Sequence, residues 1–167
     1  MEENTLIQFT NVYNVLDRFI KDLSESYKSS LIRDGKKATG NLIKSIKPMP
    51  IEIISSKYIA SISVADYWKW VENGRKAGGK FPPPGVILKW IEDKPILPRP
   101  INGITPSKNQ LSYLIGRKIA EKGIKPGNQL NNTLNNVYQR YEKLFADAIE
   151  ADLSNSLTVI NRVLTKY

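Results

Sequence analysis

Residues 46–64 read IKPMPIEIISSKYIASISV, and this stretch decides the fold class. Isoleucine, valine, tyrosine and serine dominate it, and Tyr58, Ala60, Ile62 and Val64 form an alternating set. That period of two belongs to a half-buried strand. The predicted element is a hairpin turning near Ser55, Ser56 and Lys57. Pro48 and Pro50 have no amide hydrogen for a ladder bond, so the first strand is expected to be an edge or to begin only at Ile51. On both sides the pattern changes to helix, which makes the expected class α+β: a small antiparallel β-sheet packed by a long N-terminal helix and short helices, with a helical C-terminal extension.

Upstream, Leu6, Phe9, Tyr13, Leu16, Phe19, Ile20, Leu23, Tyr27 and Leu31 recur at steps of three and four, predicting an amphipathic helix from Thr5 to about Arg33. Gly35 suits its left-handed end. A further helical turn is expected over 41–45. In the core, Leu16, Phe19, Ile20 and Leu23 are expected to pack over Ile53, Tyr58, Ile62 and Val64.

Downstream, Asp66 is placed to cap a short aromatic helix, Tyr67 to Glu72, that ends at Asn73 and Gly74. Pro82 to Pro84 open a second short helix with Val86, Ile87, Trp90 and Ile91 on one face. Ser107 and Gln110 have capping-box spacing ahead of a helix closing at Gly123. Leu130, Leu134, Val137, Tyr141, Leu144 and Ala148 then follow heptad-like steps. The stripe shifts at Leu153, Leu157, Ile160 and Leu164, which predicts either a break near Asp152 to Asn155 or one helix with a phase slip. The expected division is an α+β domain over 1–127 and a helical extension over 128–167. Leu134, Val137, Tyr141, Leu144, Leu157 and Ile160 are assigned to a partner-contact face, on the expectation that deleting 131–167 leaves a folded domain.

The 167 residues include neither cysteine nor histidine. Disulfides, thiolate metal sites, Ser-His and Cys-His nucleophile pairs and the commonest zinc ligand are therefore excluded. No run approaches the roughly 18 to 20 apolar residues a membrane-spanning helix needs, and the start Met1-Glu2-Glu3-Asn4 is not that of a signal peptide, so a cytosol-like compartment is expected. The net charge of +9 is concentrated in the middle: residues 31–125 hold 18 basic against 7 acidic groups. Such a surplus serves solubility or faces nucleic acid or an acidic partner.

The nearest approach to a catalytic signature is Gly74-Arg75-Lys76-Ala77-Gly78-Gly79-Lys80-Phe81, which fits a phosphate-binding loop except at its last position. Phe81 has no hydroxyl for magnesium, the preceding segment reads as helix, and prolines follow. A flexible basic loop that projects toward a neighbour is the better account. Glu72, Glu92 and Asp93 could serve a metal-dependent nuclease, though nothing in their spacing selects them. Trp68, Trp70 and Trp90 could stack on unpaired bases; pinning short helices to a sheet is the plainer use.

Ala38-Thr39-Gly40-Asn41-Leu42-Ile43-Lys44-Ser45-Ile46 resembles a junction found in tail-completion and minor head–tail joining (neck) proteins of tailed bacteriophages. Tyr67-Trp68-Lys69-Trp70-Val71-Glu72-Asn73-Gly74-Arg75 looks like their next motif. Lys80-Phe81-Pro82-Pro83, the helix to Trp90-Ile91, and Ile115 to Pro126 follow in the family's order. The likeness covers about residues 1–130; Trp70, where a smaller apolar residue or tyrosine is usual, and the helical block after Asn131 depart from it. It implies a non-enzymatic virion protein, without cofactor or metal, assembled in the host cytoplasm. It would form a homo-oligomeric ring of six or twelve copies in the neck, meeting the portal and other neck or tail proteins. A basic lining could touch channel DNA there without reading sequence. Arg75, Lys76, Lys80, Lys36 and Lys37 are the candidate subunit or channel contacts. The alternatives are a nucleic-acid-binding module using the same five residues, or a metal-dependent nuclease.

Overall fold

The computed structural model describes residues 9–36, 39–55, 57–94, 96–100 and 103–165. It is a mixed α+β chain of six helices and four short strands among the described residues. In chain order these are α1 (Thr10–Arg33), α2 (Asn41–Ser45), β1 (Lys47–Pro48), β2 (Glu52–Ile54), β3 (Lys57–Ile59), β4 (Ile62–Ser63), α3 (Trp68–Asn73), α4 (Pro84–Asp93), α5 (Lys108–Lys122) and α6 (Gln129–Leu164). By contacts the chain forms two units that differ from the division expected at residue 127. One comprises Met1–Ser29, Lys47–Ser63 and Asn131–Tyr167; the other comprises Ser30–Ile46 and Val64–Leu130. None of the described helices is long and apolar enough to cross a membrane.

In the first unit the C-terminal helix packs on α1. Val15, Phe19, Ile20 and Leu23 of α1 form one buried cluster with Val137, Tyr141 and Ala148 of α6. Phe19 sets its ring edge-on against Tyr141 and Phe145, with centroids 5.4 and 5.6 Å apart, a geometry that adds to the burial itself. Val137 and Tyr141, assigned above to a partner-contact face, are thus interior. α6 runs unbroken for 36 residues, so the stripe shift is a change of phase within one helix. The reason lies at Asp152. Its carboxylate accepts the backbone amides of Asn11 and Val12 at 3.1 and 2.9 Å and the Asn11 side-chain amide at 2.7 Å. A helix leaves its first amides without internal partners; here α6 supplies the cap for α1, and the positive end of α1 favours the negative group.

The strands make a single bent hairpin in two pieces. β1 pairs with β4 and β2 with β3, all antiparallel. Between Pro48↔Ile62 and Glu52↔Ile59 the first arm advances four residues and the second three, so the first arm carries one extra residue beside Pro50. That is a bulge, where proline's missing donor costs no ladder bond. The turn falls at Ser55, with φ 48°. Ile51, Ala60 and Ile62 pack on the α1–α6 cluster. Ile53, expected in the core, is 55% exposed: it and Tyr58 line a surface cleft with Phe9, Thr10 and Tyr13 near the start of α1.

In the second unit α1 ends as the glycine predicts. Gly35 has φ 64°, its amide donates to Ile32 and the Lys36 amide to Leu31, a Schellman closure. Leu31, Leu42, Ile46, Ile87 and Ile91 are the buried apolar side chains, and α4 packs on α5. Ser107 and Gln110 form the expected capping box. Two expectations fail. Asp66 does not cap α3, which starts on a turn in which the Trp68 amide donates to Ala65. Val86 and Trp90 do not join Ile87 and Ile91 inside; they are 62% and 39% exposed, because a buried stripe on a ten-residue helix is narrower than the apolar set.

Candidate functional site

The basic loop between α3 and α4 is tied down at two points. Gly74 (φ 65°) turns the chain out of α3 so that Arg75 and Ile124 exchange both backbone hydrogen bonds at 2.8 Å. Three residues on, the Gly78 amide donates to the Ala120 carbonyl at 2.8 Å. The loop therefore lies along the C-terminal end of α5, and the expectation of a flexible projecting loop is corrected. Two glycines make the seam possible. A Cβ on Gly74 would sit 2.3 Å from the Ile124 carbonyl oxygen, and one on Gly123 would sit 2.2 Å from that of Arg75. Phe81 continues the seam by packing on Gly116, with its ring 5.5 Å from that of Tyr113.

The seam gathers charges that lie far apart in sequence. Lys76 and Lys80 are exposed and Arg75 is half-buried, its guanidinium donating to the Lys80 carbonyl. Lys122 and Lys125, both exposed, flank the Gly123–Ile124 segment against which Arg75 lies. Neither stretch, 74–80 or 122–126, contains an acid. The nearest in sequence, Glu121, stands 3.8 Å from Arg117. The unit holding this seam has 16 basic against 6 acidic residues, whereas the other has 9 against 10, so the whole positive surplus belongs to one unit. Lys36, at the exit of α1, is exposed and lines two clefts with Val71 and Trp90. Lys37 lies outside the described residues.

Glu72, a nuclease candidate by residue type, is instead a joint. It is 4% exposed; its carboxylate accepts the Leu130 amide at 3.0 and 3.1 Å, and its backbone carbonyl accepts those of Gly127 and Asn128. It thus caps the start of α6, as Asp152 caps α1. Glu92 and Asp93 are exposed at the end of α4. Among the described residues no group of three or more carboxylates could hold a metal ion.

Apolar surface is left open in both units. On α6, Leu153, Leu157, Ile160 and Leu164 are 42–70% exposed and follow one another at steps of four, three and four. Leu134 and Leu144, 37% and 41% exposed, border the buried face rather than extending this stripe. In the second unit Trp70 is 66% exposed, Val86 62% and Tyr67 45%, whereas Trp68 is half-buried, so of the two tryptophans on α3 it is Trp70 that does not pin the helix. Sequence periodicity marked these residues as apolar but could not separate buried from open faces. Nor did it offer any signal that the segment carrying Lys122 and Lys125 bridges to the loop at Ile124.

No protein-family model, curated protein or solved structure matches this chain.

Proposed function

We propose that this chain is a structural protein of a tailed-phage neck, forming a ring between portal and tail and helping to close the DNA channel. The observation that carries the reading is the open apolar surface on both units. A stripe of four large aliphatic side chains on α6, and in the other unit the exposed Tyr67, Val86 and Trp70 beside the two clefts that Trp90 lines, are more than an isolated subunit gains by exposing. Surfaces of this kind are used for contacts between subunits, where aromatic residues act as anchors. Two different patches on one chain suit a head-to-tail contact, which closes into a ring when the rotation allows.

The family-like segments support the same reading. Thr39 to Ile46 forms the turn and α2; Tyr67 to Arg75 forms α3 and one side of the seam; Ile115 to Pro126 forms the other side. All are used as joints of a scaffold. Native mass measurement of the purified protein tests the proposal first, with six or twelve copies expected. Cryo-electron microscopy of particles carrying this chain should then place it between portal and tail. A monomer at tens of micromolar that is absent from particles would overturn it.

A further inference from the structure

The seam between the 74–80 loop and the end of α5 is more basic than its place in the fold requires. A helix C-terminus carries about half a negative charge and is satisfied by one or two cations in its last turn. Lys122 already fills that role in α5. Arg75, Lys76, Lys80 and Lys125 are surplus to it. They form no ion pair among the described residues, and they stand on backbone fixed by the Arg75–Ile124 bridge and the Gly78–Ala120 hydrogen bond. Five like charges held together repel one another, so the arrangement gains when a polyanion neutralises it.

We infer that Arg75, Lys76, Lys80, Lys122 and Lys125 form a composite site for the phosphate backbone of duplex nucleic acid, bound without regard to sequence. Phosphate is favoured over an acidic protein because four of the five cations are exposed while Ile124, 45% exposed, is the single large aliphatic or aromatic side chain on the two stretches 74–80 and 122–126, whereas protein interfaces centre on clusters of aromatic or aliphatic groups. Base reading is not expected, since four of the five stand outside helices and strands and Lys122 is the last residue of α5, so no helix face presents them to a groove as a recognition element does. The site does not depend on the neck reading: it belongs to one unit of one chain and can be measured on the purified protein.

The test is binding to labelled duplex DNA of two unrelated sequences between 50 and 200 mM salt. Equal affinities for the two are expected, with a log–log salt slope of about −4 to −5 for five phosphates, or a loss of roughly 10²–10³-fold across that range. Lys76→Gln with Lys122→Gln should reduce the slope by about two. Lys47→Gln with Lys57→Gln, exposed hairpin lysines in the other unit, removes the same charge and should leave it unchanged. Should the first pair fail to fold, Lys80→Gln with Lys125→Gln asks the same question. Absence of binding at 50 mM salt, equal losses from seam and hairpin variants, a strong preference for one sequence, or tighter binding to poly-glutamate than to DNA would each overturn the site. None of these outcomes bears on whether the chain forms a ring.

Discussion

Tyr141 shows how one side chain can join packing to ionisation. It is 8% exposed in the α1–α6 cluster, and its hydroxyl donates to the Asp22 carboxylate at 2.5 Å. Burial, then the hydrogen bond and charge of Asp22, push its pKa up from 10.0 to about 12. The phenol is neutral in folded and unfolded chains below pH 10. Between about pH 10 and 12 only the unfolded chain releases the proton, so stability falls as pH rises, by about 2–3 kcal/mol in total. Tyr141→Phe should cost about 1 kcal/mol at neutral pH and should lack this loss. Denaturant melts of both proteins at pH 8 and pH 11.5 check it, through a difference that shrinks or reverses at the higher pH.

Gly123 is decisive at the same scale. Gly123→Ala must hold φ 72° and place a methyl 2.2 Å from a backbone oxygen, so the seam has to open. A loss of at least about 2 kcal/mol is expected, roughly 5–10 °C in melting temperature for a chain of this size. Gly78→Ala, at φ 76° with nothing within 4 Å, carries only the backbone strain of about 1 kcal/mol. Thermal melts of the two variants separate the clash from the strain. In the sequence Gly123 reads as a helix end and Gly78 as part of a basic loop; the distance to the Arg75 carbonyl is what makes Gly123 the more demanding position.

Among the elements, α6 departs most from its sequence reading. The heptad-like steps identify a helix correctly, and the change of phase at Leu153 is visible in the spacing. Periodicity does not say which partner a stripe meets, because an apolar face buried within its own chain and one buried against another chain have the same spacing. Val137, Tyr141 and Ala148 turn out to complete the α1 core, while Leu157 and Ile160 remain open. Deleting 131–167 should therefore unfold the first unit instead of sparing it. Deleting only 157–167, which keeps Asp152 on the α1 amides, should leave the melting temperature within about 2 °C of the full chain. Circular dichroism checks both, and a folded protein after the longer deletion would contradict the core described here.

For the whole molecule, the open apolar surfaces set the expectation. Leu157→Glu with Ile160→Glu puts two charges on the exposed stripe of α6, at side chains outside the buried α1–α6 cluster. Stability should change by less than about 1 kcal/mol, while assembly should fall to smaller species, because a charge left unpaired in a subunit contact is costly. Native mass spectrometry beside a thermal melt reads both quantities. Unchanged assembly would remove the stripe from the contact surface.

The α+β class, the hairpin turn at Ser55, the Schellman end at Gly35 and the capping box at Ser107 were set by the sequence, since each depends on residues within a few positions of one another. Local spacing and backbone preference act over that range. Only the tertiary structure decided what the distant partners are. Asp152 caps a helix that starts 142 residues earlier, Glu72 receives the amide of Leu130, and Ile124, in the segment that carries Lys122 and Lys125, bridges to the backbone of Arg75. No local preference encodes these meetings: a carboxylate has the same sequence signature on a solvated surface as at the end of a remote helix, and only folding selects the amide it satisfies.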